Sequence, residues 1–500
     1  MSAPAPAADR RRVIVVGGGL AGLAAAEALA TRGLAVTLLE ARPRFGGRAA
    51  SSVDRKTGET VDNCQHVAMG CCTNFLAFCE RTGIADDFVA EDELTWIDGE
   101  GRAYRQAAHA GTAPLHLAGS FAAFGFLPLA DRLRLPFVLR RLAADGTGDK
   151  ADDPFDAWIA GRQSETAVAR FWNPVLVSAL SESLDRITLR YARQVFVEGF
   201  LRHRDAWRVY VPTKPFDALY RDGVVPALAR HGCDVRAGAG VDAVTATDDR
   251  VDGVRLRDGS TLPADDVVLA VPAPRVADLL PSELSDALPL DRLAAIEHAP
   301  ISSVHLVYDR PLTDLRHAVL LDRTSQWVFN HTAISGPNGP HQPCRVSGEE
   351  PNGETRVTGP PTQRQPQGHD GGSHAYQVVI SASRAERDAG NAALIDEVSE
   401  ELTTLWPVGA NRLAGRVVTE PRAVFSVTPG IDRLRPPQAT DVPGLTLAGD
   451  WTATGWPATM EGSVRSGYLA AEAVLARAGR PEHVVAPDLP ASPLSRWLFP

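Results

Sequence analysis

The chain has 500 residues, 44% of them hydrophobic and 22% charged, and a net charge of −10. That length predicts two domains, the composition is ordinary for a globular protein, and the acidic balance argues against a nucleic-acid partner. No run reaches about 18 uninterrupted apolar residues, so a membrane-spanning helix is not expected. Residues 1–9 are rich in Ala and Pro without an apolar centre and are expected to be a mobile tail rather than a signal peptide. Six cysteines in a chain of this length, with no export signal, point to reduced thiols and a cytoplasmic protein. Cys64 and Cys71, and Cys72 and Cys79, lie seven apart. Zinc pairs are closer than that, so no metal site is expected.

The first element is a buried strand, Val13-Ile14-Val15-Val16, running into Gly17-Gly18-Gly19-Leu20-Ala21-Gly22 and then an Ala/Leu run of high helix propensity. Gly17-x-Gly19-x-x-Gly22 thus sits between strand and helix, as a dinucleotide fingerprint must. Gly17 permits the tight turn, Gly19 lets backbone approach a pyrophosphate, and Gly22 lets helix and strand pack closely. Leu20 and Ala21 open the helix, whose N-terminal N–H groups and partial positive charge suit phosphates. A second strand, Ala35 to Leu39, ends in Glu40, a carboxylate about 20 residues on, where a ribose hydroxyl needs an acceptor. These features select FAD or NAD.

Glu40 leads into Ala41-Arg42-Pro43-Arg44-Phe45-Gly46-Gly47-Arg48, whose glycine pair and arginine can wrap a pyrophosphate and set a cation beside it. Together, Gly17-x-Gly19-x-x-Gly22, Glu40 and Arg44-x-Gly46-Gly47-Arg48 resemble the N-terminus of the flavin amine oxidase and phytoene desaturase superfamily. The resemblance implies FAD, and an α/β fold in which a Rossmann-type (GR2-like) FAD-binding domain is interleaved with an α+β substrate domain. It also implies a C-terminal flavin segment, which Gly444 to Asp450 supplies as a short strand and Gly449-Asp450 turn, followed by a helix over about 464–478. By that resemblance Asp450 meets the ribityl chain, the backbone at Met460 and Glu461 faces the flavin pyrimidine edge, and Val241 contacts the adenine through its backbone. Residues 233–244 read as strand, turn and strand, 251–262 as a hairpin turning at Asp258-Gly259, and 265–272 as a further buried strand. The FAD-binding domain is accordingly expected over 10–84, 216–290 and 430–478, and the substrate domain over 85–215 and 291–429. Residues 479–500 are expected to be a second tail, and 335–373, dominated by Pro, Gly, Gln, His and charge, a flexible insertion.

The substrate is read from Asp62-Asn63-Cys64-Gln65-His66. Amine oxidases usually have a Gly-Gly pair after this aspartate, whereas Asp62 to His66 resembles the hydroxysqualene dehydroxylase family, as do Phe171 to Leu180 and the Gly-Asp-Trp-Thr turn at Gly449. That resemblance implies a lipophilic isoprenoid substrate and replacement of an allylic hydroxyl by hydride from reduced flavin. The leaving hydroxyl needs an acid. His66 is the first choice because imidazole is protonated near neutral pH; Asp62 and Glu182 are further candidates, and Gln65 is grouped with His66. Polyene desaturation and amine oxidation are the alternatives, the second needing an aromatic cage for which Trp456 is the single candidate. The stretch 115–142, Leu/Phe-rich with Arg132, Arg134, Arg140 and Arg141, suits either a membrane surface or an amphipathic helix packed on the domain. No second nucleotide site for a reductant is present in the sequence.

Overall fold

A computed structural model describes residues 10–53, 60–335 and 372–499. The tail expected over 1–9 and nearly all of the insertion expected over 335–373 lie outside the described residues.

The first strand, Arg12–Val16, is the centre of a five-stranded parallel sheet. Its neighbours are Ala35–Glu40 and then Asp234–Ala237 on one side, Asp266–Leu269 and then Leu445–Leu447 on the other. Val13 to Val16 are all buried, as strands covered on both faces must be. The chain leaves Arg12–Val16 in one direction and later returns on its other side, so the carboxyl end of this strand is the point where strand order reverses and ligands bind. The helix Leu20–Ala30 covers one face and is wholly buried. The helix Met460–Arg477 packs across it so closely that a Cβ on Gly467 would lie 2.2 Å from the carbonyl oxygen of Ala21. That helix starts four residues before the expected 464 because Thr459 caps it, its side chain accepting from the Gly462 N–H.

A seven-stranded mixed sheet is built from both long insertions: Glu93–Ile97 and Ala103–Ala107 from the first, His298–Tyr308, His317–Leu320, Trp327–Asn330, His374–Ser381 and Arg412–Phe425 from the second. Trp96 and Ile97 join the two parts by parallel pairing with Val319 and Leu320. The period of two along its strands divides its faces. Val304, Leu306, Tyr308, Tyr376, Val378 and Ile380 pack under the helix Asn391–Leu405, through Leu394, Val398 and Leu402. The alternate residues, Ser303, His305 and Gln377 among them, face the interior of the molecule. A small sheet couples the two halves, since Val209–Pro212 pairs with Ala68–Met69 on one side and Phe88–Glu91 on the other.

The expectation of a C-terminal tail is corrected. Val484 and Phe499 are buried, the Asn74 side chain accepts from the Ala486 N–H at 2.7 Å, and a helix, Pro493–Leu498, is capped by Ser492. Its apolar residues are too few and too scattered to show this pattern in the sequence.

Candidate functional site

The three fingerprint glycines are small for different reasons. Gly17 has φ +111°, and a Cβ there would lie 2.4 Å from the Ala270 carbonyl oxygen; on Gly22 it would lie 1.9 Å from that of Gly17. Gly19 is different: a Cβ would come no nearer than 3.9 Å, to Gly47. Packing does not demand this glycine. The space before it lies at a helix N-terminus with no side-chain cap and no acid in the first turn, which fits a pyrophosphate. Glu40 closes the turn from beside it, accepting from the N–H of Gly18 at 2.7 Å and of Arg42 at 2.8 Å. The second glycine pair is stapled to the same turn, Gly46 N–H donating to Gly18 O at 2.8 Å. Val241 opens the strand that follows Ala239, whose N–H donates to Glu40 O at 2.8 Å.

The two ends of the chain meet at Arg48 and Asp450. Arg48 donates to Asp450 Oδ1 at 2.5 Å and to Ala423 O at 2.8 Å. Gly449 has φ +145° and its N–H is held by Ser466 Oγ at 2.9 Å. The loop beyond is organised by a residue the sequence did not single out. The buried Arg435 donates to the carbonyls of Asp450, Thr452 and Trp456 and to Thr454 Oγ1, and its guanidinium lies 4.6 Å over the Phe425 ring. Nothing in Arg433-Leu434-Arg435-Pro436 distinguishes the buried arginine from its exposed neighbour. The Glu461 carboxylate turns away to cap the helix Thr73–Thr82, accepting from Asn74 Nδ2 at 2.9 Å and Phe75 N–H at 2.8 Å. The backbone at Met460 and Glu461 thus keeps the first turn of its own helix for an anion. Trp456 is buried with Arg465 over its ring at 5.2 Å and is a packing residue here.

Asp62 ends the strand Thr60–Asp62 and is buried. Its Oδ1 accepts from Ser51 Oγ at 2.5 Å and from Phe216 N–H at 3.1 Å, and burial pushes its pKa up to about 6. His66 packs edge-on to Phe216, and its Nδ1–H donates to Cys64 O at 2.8 Å. Burial lowers its pKa to about 4, and Arg48 adds to the effect. The premise that His66 is protonated near neutral pH is therefore corrected: in this structure it is a neutral imidazole that presents Nε2 as an acceptor. Glu182 is buried, and its carboxylate accepts from Arg384 at 2.7 and 2.9 Å. Burial pushes its pKa up, but the Arg384 hydrogen bonds outweigh this and hold it below the ordinary value.

A polar row that sequence reasoning missed begins at Ser303, beside Cys64. Gln377 Nε2 donates to Ser303 Oγ at 2.6 Å. His305 Nε2 lies 3.4 Å from that hydroxyl, and His331 Nε2–H donates to Gln377 Oε1 at 2.7 Å. These side chains come from strands far apart in the chain, so no local motif marks them. Gln65 Oε1 is buried with no hydrogen-bond partner among the described residues, an acceptor set for a ligand. Among the described residues no group of three or more His, Cys, Asp or Glu side chains is placed to hold a metal ion.

A doubly wound sheet with a dinucleotide turn at its switch point, a second glycine pair bound to that turn, and a C-terminal Gly449-Asp450 turn tied to it through Arg48 define an FAD-dependent oxidoreductase. The chain belongs to the flavin containing amine oxidoreductase family, whose model matches residues 20–475. It is 30% identical over 476 residues to a hydroxysqualene dehydroxylase of Rhodopseudomonas palustris, covering 94% of this chain and 99% of that protein. It is also 24% identical over 493 residues to a zeta-carotene desaturase of Synechocystis, covering 94% and 98%. Among solved structures, the cyclohexylamine oxidase of Brevibacterium oxydans shares the fold, with a TM-score of 0.62 at 18% identity over 94% of this chain and 100% of that one.

Proposed function

We propose that this enzyme replaces the hydroxyl of an allylic isoprenoid alcohol, hydroxysqualene, by hydrogen to give squalene and water. One observation carries the reading: an interior row of hydrogen-bonded polar side chains, Ser303, Gln377 and His305, whose Ser303 end lies beside Cys64. A substrate made only of hydrocarbon has no use for such a row, whereas an alcohol must replace the hydrogen bonds it leaves in water. The same difference favours dehydroxylation over polyene desaturation, and the packing role of Trp456 removes the support for an amine cage. The 30% identity to a hydroxysqualene dehydroxylase points the same way.

In this reading the pyrophosphate of FAD would be held by Gly19, Leu20 and Ala21 together with Gly46, Gly47 and Arg48. Glu40, Ala41 and Arg42 would hold the adenosine ribose, Val241 the adenine, Gly449 and Asp450 the ribityl chain, and the backbone at Met460 and Glu461 the pyrimidine edge. When bound and reduced, the flavin supplies a hydride. The residues do the rest. Gln65 Oε1 and His66 Nε2 orient the hydroxyl, and the Nδ1–H to Cys64 bond fixes the imidazole plane. An anion beside an imidazole raises its pKa, and a bound reduced flavin would supply that charge; His66 would then hold a proton at Nε2 and give it to the leaving hydroxyl. Asp62 acts indirectly, by holding Ser51 and the Phe216 backbone against which His66 packs. The carbon–oxygen bond would break with its electrons on oxygen, which takes the His66 proton and leaves as water, and the hydride that a bound reduced flavin would supply balances the allylic cation.

The deciding experiment is anaerobic incubation of the purified enzyme, its flavin reduced, with hydroxysqualene, followed by mass spectrometry of the extracted lipid. Squalene is the expected product. Hydrogen peroxide released from an amine, or loss of two hydrogens from a polyene with no squalene formed, would overturn the assignment.

A further inference from the structure

The stretch over 115–142 folds as a turn at Leu115–Leu117, a short helix, Ala118–Ala123, and a long one, Leu129–Asp145. One side of the long helix serves the core, through Leu135, Val138, Leu139 and Leu142. Its other side is apolar as well. Leu129, Leu133 and Phe137 follow at i, i+4 and i+8 and are 63%, 66% and 75% exposed. Leu115 is 56% exposed in the turn before. The C-terminal helix returns to the same place, since Ser492 Oγ donates to Ala113 O at 2.5 Å, and it carries Trp497, 71% exposed, beside exposed Arg496. Five of the eight large hydrophobic side chains exposed among the described residues thus belong to this one region.

The charge on this region is as unusual as its apolarity. In a chain of net charge −10, residues 106–144 contain four arginines and a single acid, Asp131. Asp131 is buried and spent on Ser164, accepting from its N–H at 2.9 Å and its hydroxyl at 2.6 Å. Arg141 pairs with Asp145, but exposed Arg134 and Arg140 make no ion pair among the described residues. Leucine and phenylalanine projecting between unpaired arginines, with a tryptophan at the rim, is the composition of a helix that lies in a membrane interface. No described helix is long and apolar enough to cross a membrane.

We propose that the outer face of Leu129–Asp145, with Leu115 and the Arg496–Trp497 end of the chain, docks on the anionic surface of a lipid bilayer. Leu129, Leu133 and Phe137 enter the acyl boundary while Arg134 and Arg140 meet lipid phosphates. The core side of the same helix belongs to the substrate half of the molecule, so docking sets that half against the phase in which a lipophilic substrate dissolves. The docking itself holds whichever substrate the enzyme uses.

Co-sedimentation of the full-length holoenzyme with vesicles tests it. Vesicles of phosphatidylcholine with phosphatidylglycerol should bind the wild-type protein, and raised salt should weaken binding, whereas phosphatidylcholine alone should bind far less. Arg134→Gln with Arg140→Gln should lower binding to anionic vesicles by more than about tenfold. Leu133→Asp with Phe137→Asp should abolish it, with the melting temperature and turnover of detergent-dispersed substrate unchanged. Val408→Asp, an exposed hydrophobic elsewhere, should leave binding intact. Binding that is equal in all variants, or absent from the wild type, overturns the proposal. So does a lipid-free dimer that Phe137→Asp converts to monomer, which would make this face a contact between two copies of the chain.

Discussion

At the dinucleotide turn, the proposed recognition is made from backbone. The groups that would face the cofactor are N–H donors and bare Cα atoms, and the side chains matter by being absent. At Asp62 to His66 the opposite holds. There the polar groups are side chains, drawn from one short segment and from two strands that begin more than two hundred residues later. Backbone geometry is dictated by local sequence, so a site built from it has a compact signature. A site built from side chains across a sheet has none, because the register that brings Ser303, His305 and Gln377 together is a tertiary fact.

The contrast is sharpest within the glycines, where the largest effect is expected. Gly22→Ala puts a methyl group 1.9 Å from a backbone oxygen that cannot yield, so no folded flavoprotein should be recovered. Gly19→Ala meets nothing within 3.9 Å and should fold with a nearly unchanged circular dichroism spectrum and melting point, yet purify without yellow flavin. A yellow Gly19→Ala protein would mean that the pyrophosphate does not lie at this turn. Glu40→Arg should likewise fold and retain less flavin, since it loses the acceptor beside the turn.

In the other region the fold should survive and chemistry should fail. His66→Ala should keep its flavin spectrum and lose on the order of 10²–10⁴ in kcat, the usual contribution of a positioned acid. A loss below tenfold would leave His66 only a packing role against Phe216. A smaller effect belongs to Gln377→Leu, which removes its hydrogen bonds to Ser303 and His331. It should raise KM for the alcohol roughly tenfold and cost about 1–3 kcal/mol of stability, from the buried hydrogen bonds lost. A change in stability with no change in KM would place the row outside the substrate site.

These two regions also explain what was legible. Val13 to Val16, the glycine turn, Glu40 and Gly449-Asp450 are each local patterns with one physical meaning, and the parallel sheet assembled from them is the one observed. Arg435 was not legible because its burial depends on carbonyls of a loop 15 to 21 residues further on. The state of His66 was not legible either, because the residue type announces a group that titrates near neutrality while the surroundings decide that it does not. The exposed face of Leu129–Asp145 is an intermediate case. Its composition was visible, but which of its apolar residues serve the core and which meet solvent required the packing.

The finest test of the catalytic segment uses pH. The Asp62 pKa is raised by burial from 3.8 to about 6, so the folded state holds this proton more tightly than the unfolded state does. Its stabilising contribution is complete below about pH 4 and is lost as pH rises through 6, by up to about 3 kcal/mol. His66 works in the opposite direction: its pKa falls from 6.5 to about 4, so its contribution is present above 6.5 and is lost as pH falls toward 4. Across that window the two slopes oppose each other in the wild type. Asp62→Asn retains an oxygen for the Ser51 and Phe216 bonds, both of which go to Oδ1, and removes only the titration. The variant should melt higher than wild type at pH 8 and then lose melting temperature more steeply between pH 6.5 and 4, where the His66 slope acts alone. Parallel melting curves for the two proteins would mean that Asp62 is ionised throughout this range and that Ser51 and the Phe216 backbone hold a carboxylate rather than a carboxylic acid.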